Sequence, residues 1–195
     1  MLVNGRAIAR RDAARVGEIG QLIRERRPLA AWPAALFRID DNIRRAEWLL
    51  GPCPEPGAAI RAALVHGADD GSPALIREID RAGLRGRGGA GFAVAAKWEA
   101  CRTAPGAMRY VVCNADEGEP GTFKDRVLLS SRPDLVFDGM TVAAIATGAR
   151  HGMLYLRGEY AFLRDALEHV LERRRREGAL GAGICGSSVD FDIEI

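Results

Sequence analysis

The sequence predicts an α/β fold, a layered structure built on a largely parallel sheet. Three observations carry this prediction. Two short unbroken apolar runs, Tyr110–Cys113 and Gly152–Leu156, have the character of strands buried in a parallel sheet. A third segment, Val189–Ile195, alternates Val189, Phe191, Ile193 and Ile195 with acidic residues, the two-residue period of a strand. Segments with helical spacing separate these runs, and strands alternating with helices indicate βαβ units.

Taken in order, Val16–Arg27 places Val16, Ile19, Leu22 and Ile23 on one face of a helix that Pro28 and Pro33 close. Pro52, Pro54, Pro56 and Gly57 make a break, which divides the chain into 1–56 and 57–195. Helices are predicted at Ala58–His66 and Pro73–Ala82, the second with Ser72 as N-cap and Pro73 at its first position. A glycine-rich stretch, Gly83–Gly91, precedes a short helix at Val94–Cys101. After the first strand comes a polar loop, Asn114–Thr122, then helices at Lys124–Ser131 and Pro133–Ala149. A long helix, Glu159–Glu177, and a flexible turn, Gly178–Gly186, separate the second strand from the third. The last strand, Val189–Ile195, leaves an edge with unpaired backbone groups.

The 195 residues suit a domain of ordinary size, and a composition of 48% hydrophobic and 28% charged residues is that of a globular protein. A net charge of +2 is too near zero to argue for nucleic acid or an anionic membrane. No apolar stretch reaches the roughly 18 residues of a membrane span; the longest, Leu135–Ala149, is interrupted by Asp138 and Gly139. Arg6, Arg10, Arg11 and Arg15 lack the apolar core of a secretory signal. A cytoplasmic protein without direct membrane insertion is expected. Cys53, Cys101, Cys113 and Cys185 have no metal-ligand spacing and read as free thiols, and His66, His151 and His169 as structural or surface residues. No metal site is expected. The run Arg173–Arg176, between Glu172 and Glu177, reads as a solvated helix end.

Two segments carry the chemistry. Gly86-Arg87-Gly88-Gly89-Ala90-Gly91 satisfies G-x-G-x-x-G, but Leu75, Ile76 and Ile79 give the preceding segment helical spacing. A helix where a strand should stand argues against the usual Rossmann fingerprint. The loop still suits a ligand: glycine backbone can approach a flat or phosphorylated molecule and present N–H groups to it. Arg85 and Arg87 add positive charge, and Phe92 offers a ring for stacking.

The second segment, Asn114-Ala115-Asp116-Glu117-Gly118-Glu119-Pro120-Gly121, follows a strand directly. Ligands of open α/β sheets bind beyond the carboxyl ends of strands. Three carboxylates and an amide there suit ribose hydroxyls and ring N–H groups rather than phosphate. The same residues also fit a solvated acidic turn or a magnesium site, and spacing alone does not choose.

Gly83-Leu84-Arg85-Gly86-Arg87-Gly88-Gly89-Ala90-Gly91-Phe92, then Lys97-Trp98, then Asn114 through Gly121 followed by Thr122-Phe123-Lys124-Asp125-Arg126, together resemble the FMN-binding subunit of NADH:quinone oxidoreductase (respiratory complex I). The same module occurs as the diaphorase subunit of NAD-reducing hydrogenases and NAD-dependent formate dehydrogenases. The resemblance runs from about Ile60 to Ile195. It implies a Rossmann-like layer structure that binds FMN and NAD(H), with Gly86, Arg87, Gly88, Gly89, Ala90 and Gly91 lining the pocket. It implies that Lys97, Asn114, Asp116 and Glu117 contact FMN, that Glu119 lies near the nicotinamide ribose, and that Phe92 stacks on the dinucleotide. The activity implied is hydride transfer from NADH to the flavin, with electrons passing to iron–sulfur clusters of partner subunits in a larger complex.

Met1-Leu2-Val3-Asn4-Gly5-Arg6 and the helix after it are similar to the last strand and helix of a thioredoxin-like 2Fe–2S domain, which hydrogenase diaphorases fuse ahead of the flavin domain. Ile39–Arg45 reads as the joint. Ala93-Val94-Ala95 stands where the family has Pro-Thr-Gly, and Ala100 where it has an aromatic. The family's later flavin contacts and its C-x₂-C-x₂-C ligands are not reached by Ile195, so a 4Fe–4S cluster is expected only in a missing C-terminal region and the chain reads as cut at both ends. The alternative reading is a non-catalytic fragment that docks on partner subunits. A Rossmann dehydrogenase acting on a small substrate is a weaker one, since no general acid–base residue stands out.

Overall fold

A computed structural model describes residues 2–3, 6–7, 13–37, 50–52, 54–70 and 72–195, with the side chains of 2–3, 6–7, 67–70 and 72 outside the description. The predicted joint at Ile39–Arg45, Cys53 and the capping side chain of Ser72 therefore lie outside the described residues. The chain divides into two compact units, Met1–Arg45 and Ala46–Ile195, so the proline cluster falls near the start of the second.

The first unit pairs β1 (Leu2–Val3) antiparallel with β2 (Arg6–Ala7) ahead of α1 (Ala13–Arg24). The helix ends three residues before the predicted Arg27, because Arg26 turns left-handed at φ 51° and Arg27 N–H closes back onto Leu22 O at 3.0 Å. Ile19 packs with Trp32 and Leu36, and the indole N–H of Trp32 donates to Arg27 O at 2.9 Å.

The second unit opens with α2 (Ala58–Asp70) and α3 (Ser72–Arg81), followed after the glycine loop by α4 (Val94–Thr103). Its strands are β3 (Tyr110–Ala115), β4 (His151–Leu156) and β5 (Asp192–Glu194), in that spatial order and all parallel. Helices α5 (Lys124–Ser131) and α6 (Pro133–Thr147) connect β3 to β4. A 3₁₀ stretch, Gly158–Leu163, and α7 (Arg164–Arg176) connect β4 to β5.

Helix α6 is buried nearly all round, as its apolar composition requires. Phe137, Met140 and Ala144 pack on the sheet with Leu154, Phe191 and Ile193, while Ile145 and Ala146 join Ile60, Leu75, Ile76 and Ala95 of the preceding helices. Leu167 and Leu171 of α7 complete the cover of that sheet face. Gly152 is required at the tightest point. An added Cβ would lie 2.7 Å from the Phe191 ring and 3.0 Å from Ile193.

Three expectations are corrected. Strands β3 and β4 are not buried on both faces: Tyr110, Val112, Met153 and Tyr155 are exposed, and burial alternates along each strand. The helices in contact with the sheet pack on its other face, so an apolar run does not by itself mean two covered faces. The long helix expected from Glu159 begins only at Arg164. Its first part is 3₁₀, which eclipses residues three apart and brings Tyr160 and Leu163 together into the core. The basic run is not a solvated helix end. Arg173 Nη2 donates to both Asp134 oxygens at 2.7 and 2.8 Å, Arg174 is buried between Asp134 and Asp138, and Arg175 bonds Asp192 at 2.9 Å and Ile193 O at 2.8 Å. Only Arg176 of the four is exposed.

Candidate functional site

The glycine loop links two helices, α3 and α4, as the helical spacing before it predicts. It is closed rather than slack. Arg85 and Ala93 form an antiparallel bridge, Gly86 N–H donates to Phe92 O at 2.8 Å, and Val94 N–H to Leu84 O at 3.0 Å. The Arg85 guanidinium donates to Gly91 O at 2.9 Å, so one of the two arginines assigned to phosphate also holds the loop. Arg87, Gly88, Gly89 and Ala90 are exposed, and Gly86 and Gly91 half-buried. A Cβ added at Gly88, Gly89 or Gly91 would meet nothing within 4 Å, so the space above the loop is open to a ligand. Phe92 is 62% exposed, and Lys97, on the first turn of α4, is exposed too.

The acidic loop springs from the carboxyl end of β3. Ala115 pairs with Leu156, and Arg157 N–H carries the parallel ladder one step further to Ala115 O at 3.3 Å. Asn114 accepts from Asp116 N–H through its own side chain at 3.1 Å, an Asx turn. Glu119-Pro120-Gly121-Thr122 closes as a turn by Thr122 N–H to Glu119 O at 3.1 Å, with Gly121 supplying the positive φ of 79°. Asn114, Asp116 and Glu119 are exposed.

Glu117 stands apart. Its side chain is fully buried, at φ 39°, and does not reach a surface where a ligand could touch it. Its carboxylate accepts from Asp125 N–H at 2.8 Å, Arg126 N–H at 3.2 Å and the Tyr160 hydroxyl at 2.9 Å, capping α5 from outside the helix. Burial alone would raise this carboxyl, but the hydrogen bonds from Asp125 N–H, Tyr160 and Arg126 N–H more than offset it and hold it below the usual glutamate range. Burial, and then the bond to Glu117, push the Tyr160 hydroxyl up. Glu117, expected among the FMN contacts, thus has its carboxylate enclosed by the fold it braces.

Arg157 and Tyr160 were not visible as site residues, since a helix was expected from Glu159 onward. For Arg157 the one signal was a cation placed directly after an apolar run, at the carboxyl edge where ligands bind. Among the described residues no hydrogen bond or ion pair joins the glycine loop to the acidic loop, and no group of three or more His, Cys, Asp or Glu side chains is placed to hold a metal.

Exposed hydrogen-bonding groups at the strand ends, with a glycine cradle open above its backbone, are a donor and acceptor set that fits a phosphorylated ring ligand. The family described as Nuo51 FMN-binding domain matches residues 79–195. Over 122 residues the chain is 56% identical to the NAD-reducing hydrogenase HoxS subunit alpha of Cupriavidus necator, covering 62% of this chain and 20% of that protein. Over 137 residues it is 42% identical to an NADH-quinone oxidoreductase subunit of Rhizobium meliloti, covering 70% of this chain and 32% of that protein. A crystal structure of an NAD⁺-reducing nickel–iron hydrogenase in the air-oxidized state aligns with 98% of this chain and 32% of its own, at a TM-score of 0.71 and 39% identity. The chain thus spans a fifth to a third of the relatives it matches.

Proposed function

Since the chain belongs to the Nuo51 FMN-binding domain family, we propose that its two loops form the protein side of an FMN and NAD(H) site in an NADH dehydrogenase (diaphorase) module. The observation that carries this reading is the acidic loop, held at the carboxyl ends of two parallel strands with Asn114, Asp116 and Glu119 facing outward. FMN, when bound, accepts hydride from NADH and releases electrons singly to iron–sulfur clusters. The chain's own residues bind and orient. The backbone of Gly86–Gly91 and Arg87 take phosphate, and Lys97, Asn114 and Asp116 hold FMN. Phe92 stacks on the dinucleotide and Glu119 binds the nicotinamide ribose. The remaining members of a complete site, and partner subunits carrying iron–sulfur clusters, belong to the same proposal. The hydrogenase relative at 56% identity supports a hydrogenase diaphorase as the setting. The strand pair ahead of α1 supports reading the first unit as part of a thioredoxin-like domain.

The test is a titration of the purified protein with FMN, followed by NADH. Lys97→Ala lowers FMN affinity, and an unchanged flavin titration removes Lys97 from the site. Glu119→Gln weakens NADH more than FMN; equal loss of both, or of neither, rejects that role.

A further inference from the structure

We propose that Arg157 and Tyr160 are positioning residues, a clasp that holds the acidic loop around the buried Glu117 in the shape that presents Asn114, Asp116 and Glu119 to FMN and NAD(H). The proposal rests on the flavin reading above and adds residues from the end of β4 and the 3₁₀ stretch that follows it.

Two independent grips meet at one residue. The Arg157 guanidinium donates through Nη1 to the main-chain oxygen of Glu117, while Nε and Nη2 fork the Glu159 carboxylate at 2.8 and 2.9 Å. A planar guanidinium held by a fork has little freedom to swing away, so the carbonyl it grips is fixed in direction. The Tyr160 hydroxyl donates to Oε2 of Glu117 at 2.9 Å, from a ring that is itself buried in the sheet core and lies under the Arg126 guanidinium at 5.9 Å. Main chain and side chain of Glu117 are therefore held from the same short segment, Arg157–Tyr160, about forty residues further along the chain.

The backbone needs such a grip. Glu117 sits at φ 39°, where side-chain-bearing residues are uncommon and persist only when their surroundings over-determine them. That conformation turns the carboxylate inward to cap α5 while its neighbours Asp116 and Glu119 stay exposed. Release of the clasp lets Glu117 relax to an ordinary φ, which rotates the flanking peptide groups and moves Asp116 relative to Asn114. Neither Arg157 nor Tyr160 needs to touch the ligand for this. The Tyr160 hydroxyl is engaged with Glu117, and three of the five Arg157 N–H donors are taken by Glu117 O and Glu159.

The test uses the purified full chain and FMN itself. Tyr160→Phe removes one hydroxyl and keeps the ring; Glu117→Gln keeps the shape and removes the charge; a third protein carries both changes. Arg157→Lys keeps the charge but loses the fork, and stands in if Tyr160→Phe fails to fold. FMN affinity is read from flavin fluorescence, and amide hydrogen exchange across residues 114–126 is read by mass spectrometry without FMN. Each single change is expected to weaken FMN roughly ten-fold and to speed exchange in 114–126, while peptides from β4 and α7 keep the parental rate. The double change is expected to lose no more affinity than the worse single one, because both act on one contact. Additive losses, unchanged exchange in 114–126, or faster exchange with parental FMN affinity would each overturn the clasp. A parent chain that binds no FMN overturns the flavin reading instead, and the ligand role of the clasp with it.

Discussion

Glu117 and Gly152 show how much a single position can be asked to do. The Glu117 carboxylate is buried yet held below the usual range by three donors, so its folded-state pKa lies under its unfolded value of about 4.3. A depressed carboxylate contributes stability that is present above that unfolded value and lost as pH falls through the folded one. Glu117→Gln is therefore expected to cost about 1–3 kcal/mol at pH 7, and the gap from the parent to close as pH falls below about 4. Urea midpoints at neutral and acid pH check both; a gap independent of pH rejects the charged role. Gly152 matters for the opposite reason, absence of a side chain. Gly152→Ala forces a Cβ into the Phe191 ring and is expected to cost about 1–3 kcal/mol of overpacking, read as a lower urea midpoint with an unchanged slope.

At the scale of elements, α7 shows why a charge run cannot be interpreted from its neighbours in sequence. Successive residues of a helix point about 100° apart, and the end of α7 is flanked by α6 on one side and β5 on the other. Arg173 and Arg174 meet Asp134 and Asp138, and Arg175 meets Asp192. Asp138 also accepts Gly57 N–H at 2.9 Å, so the same buried carboxylate ties the start of α2 to α6 and α7. Arg174→Ala leaves that carboxylate buried without its cation and is expected to cost about 3–5 kcal/mol. Arg176→Ala, on the exposed side, is expected to stay within about 0.5 kcal/mol. Parallel denaturation curves of the two variants check the contrast, and equal effects would contradict it.

At the scale of the whole molecule, the sheet is covered on one face and shows Tyr110, Val112, Met153 and Tyr155 on the other, with its carboxyl edge given to the acidic loop. Among the described residues no helix is long and apolar enough to cross a membrane. A ligand that binds only the folded chain stabilises it by mass action, and FMN at about 100 times its dissociation constant is expected to add roughly 2.7 kcal/mol. Thermal melts with FMN and with riboflavin measure this. The phosphate contact proposed for the glycine loop predicts a clearly smaller shift for riboflavin at the same concentration, and equal shifts would remove phosphate from that loop's role.

Strand and helix order were legible in the sequence, because periodicity and punctuation are local. Lys124–Ser131 is found where spacing placed it, the strands at 110, 151 and 192 lie within or beside the apolar and alternating runs, and the helix before the glycine loop was evident from Leu75, Ile76 and Ile79. Both loops were legible for the same reason, their glycines and carboxylates being contiguous. Only the tertiary structure decided which side chains those loops leave free. Glu117 is turned inward because Tyr160, far along the chain, offers it a donor, and the arginines of α7 are consumed because α6 brings two aspartates beside them. Charge and hydrogen-bond complementarity between distant segments has no period to read, so a sequence shows that such groups exist, and folding alone shows which are paired with one another and which face a ligand.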